Sequence, residues 1–248
     1  MADSTLTIAR PELITSVGYF LGYNPSSLSA AQSAEIQRYI DSGLRRFFMA
    51  YNWRFLKPKT TLATVAATSD YTMPDSFGYL IGEMTYATAD LGFTAIQLIP
   101  EQEIRKLQQF ATTSAKPRYV SIRPVTTAGS TGQRFQATLW PTPDAVYTLT
   151  YQYHVLMDAV TSGAPYTYGG MAHSETILEA CLAAAEQQAD DEIGIHSQLY
   201  EQRLAESIKY DNQLEAEFFG YNGDPGMDRG GYDRRNFMNR TTVAGVTY

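Results

Sequence analysis

The first side chains to consider for acid–base or metal chemistry are the three histidines, His154, His173 and His196. None lies in a recognisable zinc pattern with a second histidine, a cysteine or paired carboxylates three or four residues away. We therefore interpret His173 as a capping or surface residue in front of a helix, and His154 as a hydrogen-bonded residue of a tyrosine-rich strand. The histidines predict neither a metal site nor a general base.

Two groups of acidic residues resemble a cation site only in composition. Adjacent carboxylates such as Asp190-Asp191-Glu192 point in different directions when they lie on a helix, and the glycine position of a calcium loop is missing. Asp224, Asp228 and Asp233 also lack regular loop spacing. Solvated surface residues are the simpler interpretation of both groups.

Motifs of the common enzyme classes are missing from the sequence. It contains no G-x-S-x-G nucleophile elbow, no G-x-G-x-x-G after a strand and no phosphate-binding G-x-x-x-x-G-K-[ST] loop. The single cysteine, Cys181, lies in an alanine-rich helical pattern, which favours a small buried side chain over a nucleophile. We predict a protein without enzymatic activity or a cofactor; a hydrolase whose Ser, His and Asp meet only in the fold is the alternative.

Composition narrows the classes of partner. The net charge of -7 and pI near 5.0 argue against a protein whose main task is to grip nucleic acid, because neutralising phosphates needs a surplus of Lys and Arg. The 18 tyrosines favour protein interfaces. No apolar stretch approaches the roughly 18 residues of a membrane span, so we predict a product of the cytoplasm without membrane contact.

The elements that would position these residues fall into four segments. We predict helices in 1–56, a β-rich region in 57–160, further helices in 161–220 and an extended tail in 221–248. This order predicts an α+β fold, in which the amino-terminal and carboxy-terminal helices form one bundle and the strands form a central antiparallel insertion.

The helices are predicted by apolar periodicity and by capping residues. Ser29 is placed as the N-cap of a long helix, and Ser174 as the N-cap of a later one. A short helix after Pro100 should turn Ile104, Leu107 and Phe110 inward. The long helix carries one apolar stripe, formed by Ile36, Tyr39, Ile40, Gly43, Leu44, Phe47, Phe48 and Tyr51.

Between the two helical regions the apolar period changes to two, which is typical of strands. Trp53 should fill the junction between helices and strands. The faces of the last strand are not predicted, because apolar and polar residues do not alternate cleanly in "LTYQYHV". The predicted strands are Thr60–Ala67, Leu80–Thr85, Thr94–Leu98, Arg118–Arg123, Phe135–Trp140 and Tyr147–Val155.

The segment after Gly220 has little periodicity and alternates Asp with Arg. Such a segment buries too little apolar area to fold alone, so it is either disordered or ordered by a partner. Its arginine and aromatic residues are the candidate partner-binding residues, since these types anchor interfaces. They are Tyr221, Arg229, Tyr232, Arg234, Arg235, Phe237 and Arg240.

The order of "NWRFL", "YTMPDSFGYL", "ATLWPTPDAVYTLTYQYHVL" and "ILEACLAAAEQQADD" resembles the head-to-tail adaptor (connector or neck ring) proteins of tailed bacteriophages. The resemblance covers about Ala30 to Phe218. In that family a tyrosine leads into Pro-Asp-x-Phe, and a Pro-x-Pro turn leads into an aromatic strand. The matching residues here are Trp53, Tyr71, Pro74, Asp75, Phe77, Pro141, Pro143, Tyr147, Tyr151 and Tyr153.

The resemblance implies a virion structural protein of the neck, made in the host cytoplasm. It implies a ring of identical subunits, commonly twelve, between the portal and the tail tube or nozzle, through which DNA passes without specific binding. Two alternatives remain open at this point. One is another minor virion component, such as a tail-completion or nozzle protein; the other is a carbohydrate-binding module that uses the aromatic side chains of the β region.

Overall fold

The computed structural model describes residues 4–88, 95–110, 113–125, 132–189, 193–213, 242–243 and 246–247. The chain separates into two compact units, residues 1–213 and residues 214–248. In the second unit, Thr242–Val243 pairs antiparallel with Val246–Thr247. The first unit contains both helices and sheets, which confirms the predicted α+β class.

Five α-helices lie in the described part of the first unit: two precede the strands in sequence, two follow them, and one lies among them. No helix among the described residues is long and apolar enough to cross a membrane. The helices are α1 Arg10–Phe20, α2 Ala30–Ala50, α3 Glu101–Phe110, α4 Met171–Ala189 and α5 Ile195–Gln213.

Helix α2 forms as its sequence predicts. The Ser29 hydroxyl accepts a hydrogen bond from the Gln32 N–H at 3.3 Å, and the Gln32 side chain accepts one from the Ser29 N–H at 2.9 Å, so two amides at the start of the helix are satisfied. The predicted apolar stripe is buried from Ile36 to Phe48, and Tyr51 is partly buried. The stripe faces α1 and α4, which pack against α2.

Helix α4 is the centre of the helical layer, because α1, α2 and α5 all pack on it. Its contact with α2 is unusually close. A Cβ added to Gly43 would lie 2.5 Å from the Cα of Cys181, a separation that real Cβ atoms do not reach. Opposite Gly43, α4 presents Ala180 and Cys181, and both are fully buried. Small side chains on both helices therefore permit this crossing.

The strands form two small sheets around the same core as the helices. The sheet orders are β1-β7-β3 and β2-β6-β5-β4, and an antiparallel bridge between Met84 and Ile96 connects β3 to the residue before β4. All pairs are antiparallel except β4 with β5, which is parallel. The strands are β1 Lys59–Ala63, β2 Asp70–Thr72, β3 Phe77–Tyr86, β4 Gln97–Leu98, β5 Tyr119–Val125, β6 Arg134–Trp140 and β7 Thr148–Val155.

Strand β7 has a well-defined inner face that its sequence did not predict. Leu149, Tyr151, Tyr153 and Val155 are buried, and the residues between them are exposed or half-buried. Tyrosine therefore serves as an apolar core residue in this strand. Burial raises the pKa of Tyr151 to about 12, because it disfavours the charged phenolate.

Several sequence predictions were wrong in detail. Strand β2 was not predicted, because its three residues are defined by their pairing with β6 and not by a local pattern. Strand β1 ends at Ala63 and not at Ala67. Ser174 lies inside α4, which begins at Met171, and its hydroxyl donates to the Gly170 carbonyl at 3.0 Å. Phe110 at the end of α3 is 87% exposed and does not face the core.

We expect Gly43→Ala to lower the free energy of unfolding by about 1–3 kcal/mol or more, because the added methyl group must separate α2 from α4. Urea denaturation followed by circular dichroism would measure the change. Ser42→Ala, which alters the neighbouring half-buried residue of α2, is the matched control and should change stability by less than about 0.5 kcal/mol. Equal stability of the Gly43→Ala variant and the parent would contradict the close crossing.

Phe77→Ala should cost about 3–5 kcal/mol, since the ring is 1% exposed and packs on Tyr153 and Phe135 at centroid distances of 5.5 and 5.6 Å. Phe110→Ala removes the same side chain from an exposed helix position and should be nearly neutral. Thermal melts of both variants would compare the two sites. A melting temperature of Phe77→Ala equal to that of the parent would rule out the core position of Phe77.

Candidate functional site

The three histidines do not form a site together. His154 lies on β7, where its ring stacks on Tyr79 at 4.9 Å and 9°, and its Nδ1 has no hydrogen-bond partner in the described part of the chain. The predicted hydrogen-bonded role is therefore wrong for that atom. Within the described residues, no group of three His, Cys, Asp or Glu side chains is arranged to hold a metal ion.

His173 is a core residue and not the capping or surface residue predicted. It is 2% exposed, and its ring lies 4.9 Å from Phe55, 5.1 Å from Trp53 and 5.8 Å from Tyr210. Burial lowers the pKa of His173, although the Asp211 carboxylate opposes part of that effect. A neutral imidazole thus packs in the aromatic junction between the helices and the strands.

Trp53 occupies the same junction, as the sequence predicts. Its indole is fully buried and donates a hydrogen bond to the Phe47 carbonyl at 3.0 Å, while stacking on Phe47 and Phe55 at 4.6 and 5.5 Å. The single cysteine is buried as well, and burial raises the pKa of Cys181 to about 12. A thiol in this environment is a packing group and a poor nucleophile.

The motif from Tyr71 to Phe77 and the Pro-x-Pro motif of Pro141 and Pro143 lie close together in the β region. The Tyr71 hydroxyl donates to the Thr68 carbonyl at 2.8 Å and accepts from the Val65 N–H at 2.9 Å, which closes the turn between β1 and β2. The Ala67 N–H of this turn donates to the Pro143 carbonyl at 2.8 Å. These contacts have a structural role, because the donors and acceptors involved are used in hydrogen bonds to one another.

Further contacts tie the remaining motif residues to the sheets. The Phe77 N–H donates to the Pro74 carbonyl at 2.9 Å, which forms the turn before β3. Asp75 makes an exposed ion pair with Arg134 at 3.4 Å. The Tyr147 hydroxyl donates to Asp144 at 2.7 Å, and the Trp140–Pro141 peptide bond is cis.

Helices α4 and α5 meet through polar side chains, which sequence reasoning missed. The apolar residues Leu199, Leu204 and Ile208 of α5 are all only partly buried. The buried residues of α5 are Ser197, Tyr200, Ser207 and Asp211. The burial of these residues could not be predicted from the sequence, because each one contacts a partner from another segment of the chain.

Three contacts illustrate this polar interface. The Glu179 carboxylate lies 2.8 Å from His196 Nδ1, and Arg203 bonds to Glu175 on the same face of α4. Elsewhere in the interface, the hydroxyls of Thr176 and Ser207 lie 2.6 Å apart. Hydrogen bonds of this kind determine the register of two helices more strictly than apolar packing does.

Glu186 of α4 caps the amino terminus of α5. Its carboxylate accepts hydrogen bonds from the N–H and the hydroxyl of Ser197 at 3.1 and 3.2 Å, and from the His196 N–H at 3.4 Å. A Cβ at Gly194 would collide with this carboxylate. Burial acts to raise the pKa of Glu186, but the donated hydrogen bonds outweigh it, so the net pKa is lowered.

Two surface depressions of the described region are lined mainly by polar side chains. One, of about 430 Å³, lies along α2 and includes Gln37, Arg38, Asp41 and Arg45. The other, of about 140 Å³, lies beside α3. Neither resembles the apolar pocket that usually binds a small molecule.

The candidate partner-binding residues of the tail lie outside the described residues. They are Tyr221, Arg229, Tyr232, Arg234, Arg235, Phe237 and Arg240. The run Asp190-Asp191-Glu192 and the residues Asp224, Asp228 and Asp233 also lie outside them.

Glu186→Gln should destabilise the protein by about 1 kcal/mol at neutral pH, because the helix cap loses its charge. A lowered carboxyl pKa stabilises the fold above the ordinary Glu pKa of 4.5, and this contribution is lost as the pH falls through the folded-state pKa. Urea denaturation at pH 7 and at more acidic pH should therefore show the difference shrinking in acid. Glu201→Gln, on the exposed face of α5, is the control, and an equal loss there would contradict the cap.

Comparison with known proteins gives one family. A search of curated protein sequences found no match. The family model described as "SU10 adaptor protein" matches residues 11–222, a range that takes in nearly all of α1, helices α2 to α5 and strands β1 to β7. Since this match covers most of the chain, the protein belongs to the SU10 adaptor family, a family of bacteriophage head-to-tail adaptors.

Proposed function

We propose that this chain forms a homo-oligomeric ring, twelvefold in symmetry, that joins the portal to the tail and prolongs the DNA channel in the virion neck. The observation that carries the proposal is the family match over residues 11–222, since an adaptor must contact both the head and the tail of the phage. The match supports a structural protein and not an enzyme.

The properties of the subunit are compatible with this role. Exposed tyrosines suit subunit contacts, because tyrosine is enriched where proteins associate. Those in the described part with about half or more of their surface exposed are Tyr19, Tyr79, Tyr166, Tyr168 and Tyr210. The net charge of -7 disfavours adhesion to DNA, which suits a subunit that DNA passes.

We extend the proposal to the segment 221–248, which contacts the portal or an adjacent subunit. Its support is the sequence alone, namely arginine residues interleaved with Tyr232 and Phe237. The carbohydrate-binding alternative loses part of the aromatic surface that it would need, because Tyr151 and Tyr153 of β7 face the core. Another minor tail component remains the alternative within virion proteins.

The proposal predicts assembly in the presence of the portal. Multi-angle light scattering and negative-stain images of the purified chain, alone and mixed with the portal, would measure mass and shape. We expect a ring of uniform copy number joined to the portal. A chain that neither assembles nor binds when portal is added would contradict the proposed function.

A charge reversal tests the tail within the full-length chain. Arg234→Glu with Arg235→Glu should weaken portal binding at least tenfold without changing the melting temperature, if these residues meet the portal. Arg105→Glu with Lys106→Glu makes the same charge change on the exposed face of α3 and is the matched control. If both variants bind the portal with the same affinity as the parent, the tail is not part of the interface.

A further inference from the structure

Apolar side chains are exposed together where α1 and α4 begin. The segment before α1 lies against the connector before α4: Ala9 forms an antiparallel bridge with Tyr166, and the Ser4 hydroxyl donates to the Met171 sulfur at 3.6 Å. Leu6, Tyr166 and Met171 around this segment are 71%, 57% and 49% exposed. We call these three residues the start patch.

A second group is exposed where α1 and α4 end. The Phe20 ring at the end of α1 lies 5.3 Å from the His196 ring at the start of α5. The neighbouring residues Tyr19, Ile193 and Ile195 are 68%, 76% and 66% exposed. We call these three residues the end patch.

The two patches lie at opposite ends of the helical layer. Helices α1 and α4 run in the same direction, because the Ile8 N–H donates to the Ser174 hydroxyl at 3.1 Å near their starts, while Phe20 and Glu186 both reach His196 near their ends. Since α1 has 11 residues, α4 has 19, and each rises about 1.5 Å per residue, the patches are separated by roughly 15–27 Å along the helix axes.

The patches also match in size. From the exposed fractions of their side chains, each presents on the order of 300–400 Å² of largely apolar surface, as large as the principal patch on a typical monomer. A stable interface buries about 800 Å² per partner with an apolar centre and a polar rim. Each patch therefore has the area of one such centre.

We propose that the start patch of one copy packs against the end patch of the next copy, and that this heterologous contact is the lateral interface of the assembly. The proposal rests on the proposed ring. A two-fold dimer that pairs the start patch of each copy with the end patch of the other also buries both patches, but it closes at two copies. In the proposed ring, the head-to-tail contact buries both patches and repeats until the ring closes. The pairing identifies a second copy of this chain as the occupant of each patch.

Complementation of two variants tests the pairing. Leu6→Ser with Tyr166→Ser removes the start patch, and Tyr19→Ser with Ile195→Ser removes the end patch. We expect each variant alone to remain monomeric by native mass spectrometry, with portal present if the parent requires it. An equal mixture still contains one intact patch of each kind, so it should form a dimer of the two variants and grow no further. Val65→Ser with Val146→Ser, two exposed valines of the β region, should assemble like the parent.

A cross-link provides a second measurement that does not depend on affinity. In a chain carrying Tyr166→Cys and Ile195→Cys, oxidation should join neighbouring copies into a ladder that ends at the ring, because the native Cys181 is buried and does not compete. Chains with only one of the two substitutions should not form the ladder.

The outcomes separate this inference from the proposed function. If the parent assembles and the patch variants assemble equally well, the pairing is wrong and the ring stands. If the mixed variants and the paired cysteines yield only monomers while the parent assembles, another surface, such as the chain's own tail or the portal, covers the patches, and the pairing is again wrong. If the parent itself never assembles or binds with portal, the proposed function fails.

Discussion

The contact between Gly43 and Cys181 is the constraint on which the helical layer depends. A side chain at residue 43 would push α2 away from α4, and the buried residues on both sides of the crossing would lose their contacts. Because interiors are packed at nearly crystalline density, such a shift cannot be absorbed locally. The small residues of α4 and the glycine of α2 therefore act together as one feature of the fold.

Once α4 is held against α2, the positions of α1 and α5 follow from different forces. Helix α1 packs on the layer through the fully buried Leu13 and Val17. Helix α5 is held by polar contacts, including the Glu186 cap and the pair formed by Thr176 and Ser207. Polar groups inside an interface stabilise only one register, because a shift leaves them unsatisfied. A subunit of defined shape is the result, as an adaptor between larger structures requires.

The aromatic and proline motifs also serve to fix the shape of the subunit. Tyr71 closes a turn with its hydroxyl, Phe77 packs between Tyr153 and Phe135, and Trp53 with His173 fills the junction of helices and strands. None of these residues is arranged for chemistry. The surface left to a partner includes exposed apolar groups at the ends of the helices, which is where the proposed ring would use them.

The sequence by itself determined the features that depend on neighbours along the chain. The Ser29 cap, the stripe of α2, the α+β class and the burial of Cys181 were all predicted, because helix periodicity and capping are local. The order of the short motifs along the chain also indicated the adaptor family.

Tertiary structure alone decided the rest. Strand β2 exists because β6 lies beside it, His173 is buried because aromatic rings from distant segments surround it, and Phe110 is exposed because no segment covers the end of α3 in the described part of the chain. The polar inner face of α5 and the opposite placement of the two patches belong to the same class, since each requires knowing which helices meet and in which direction they run.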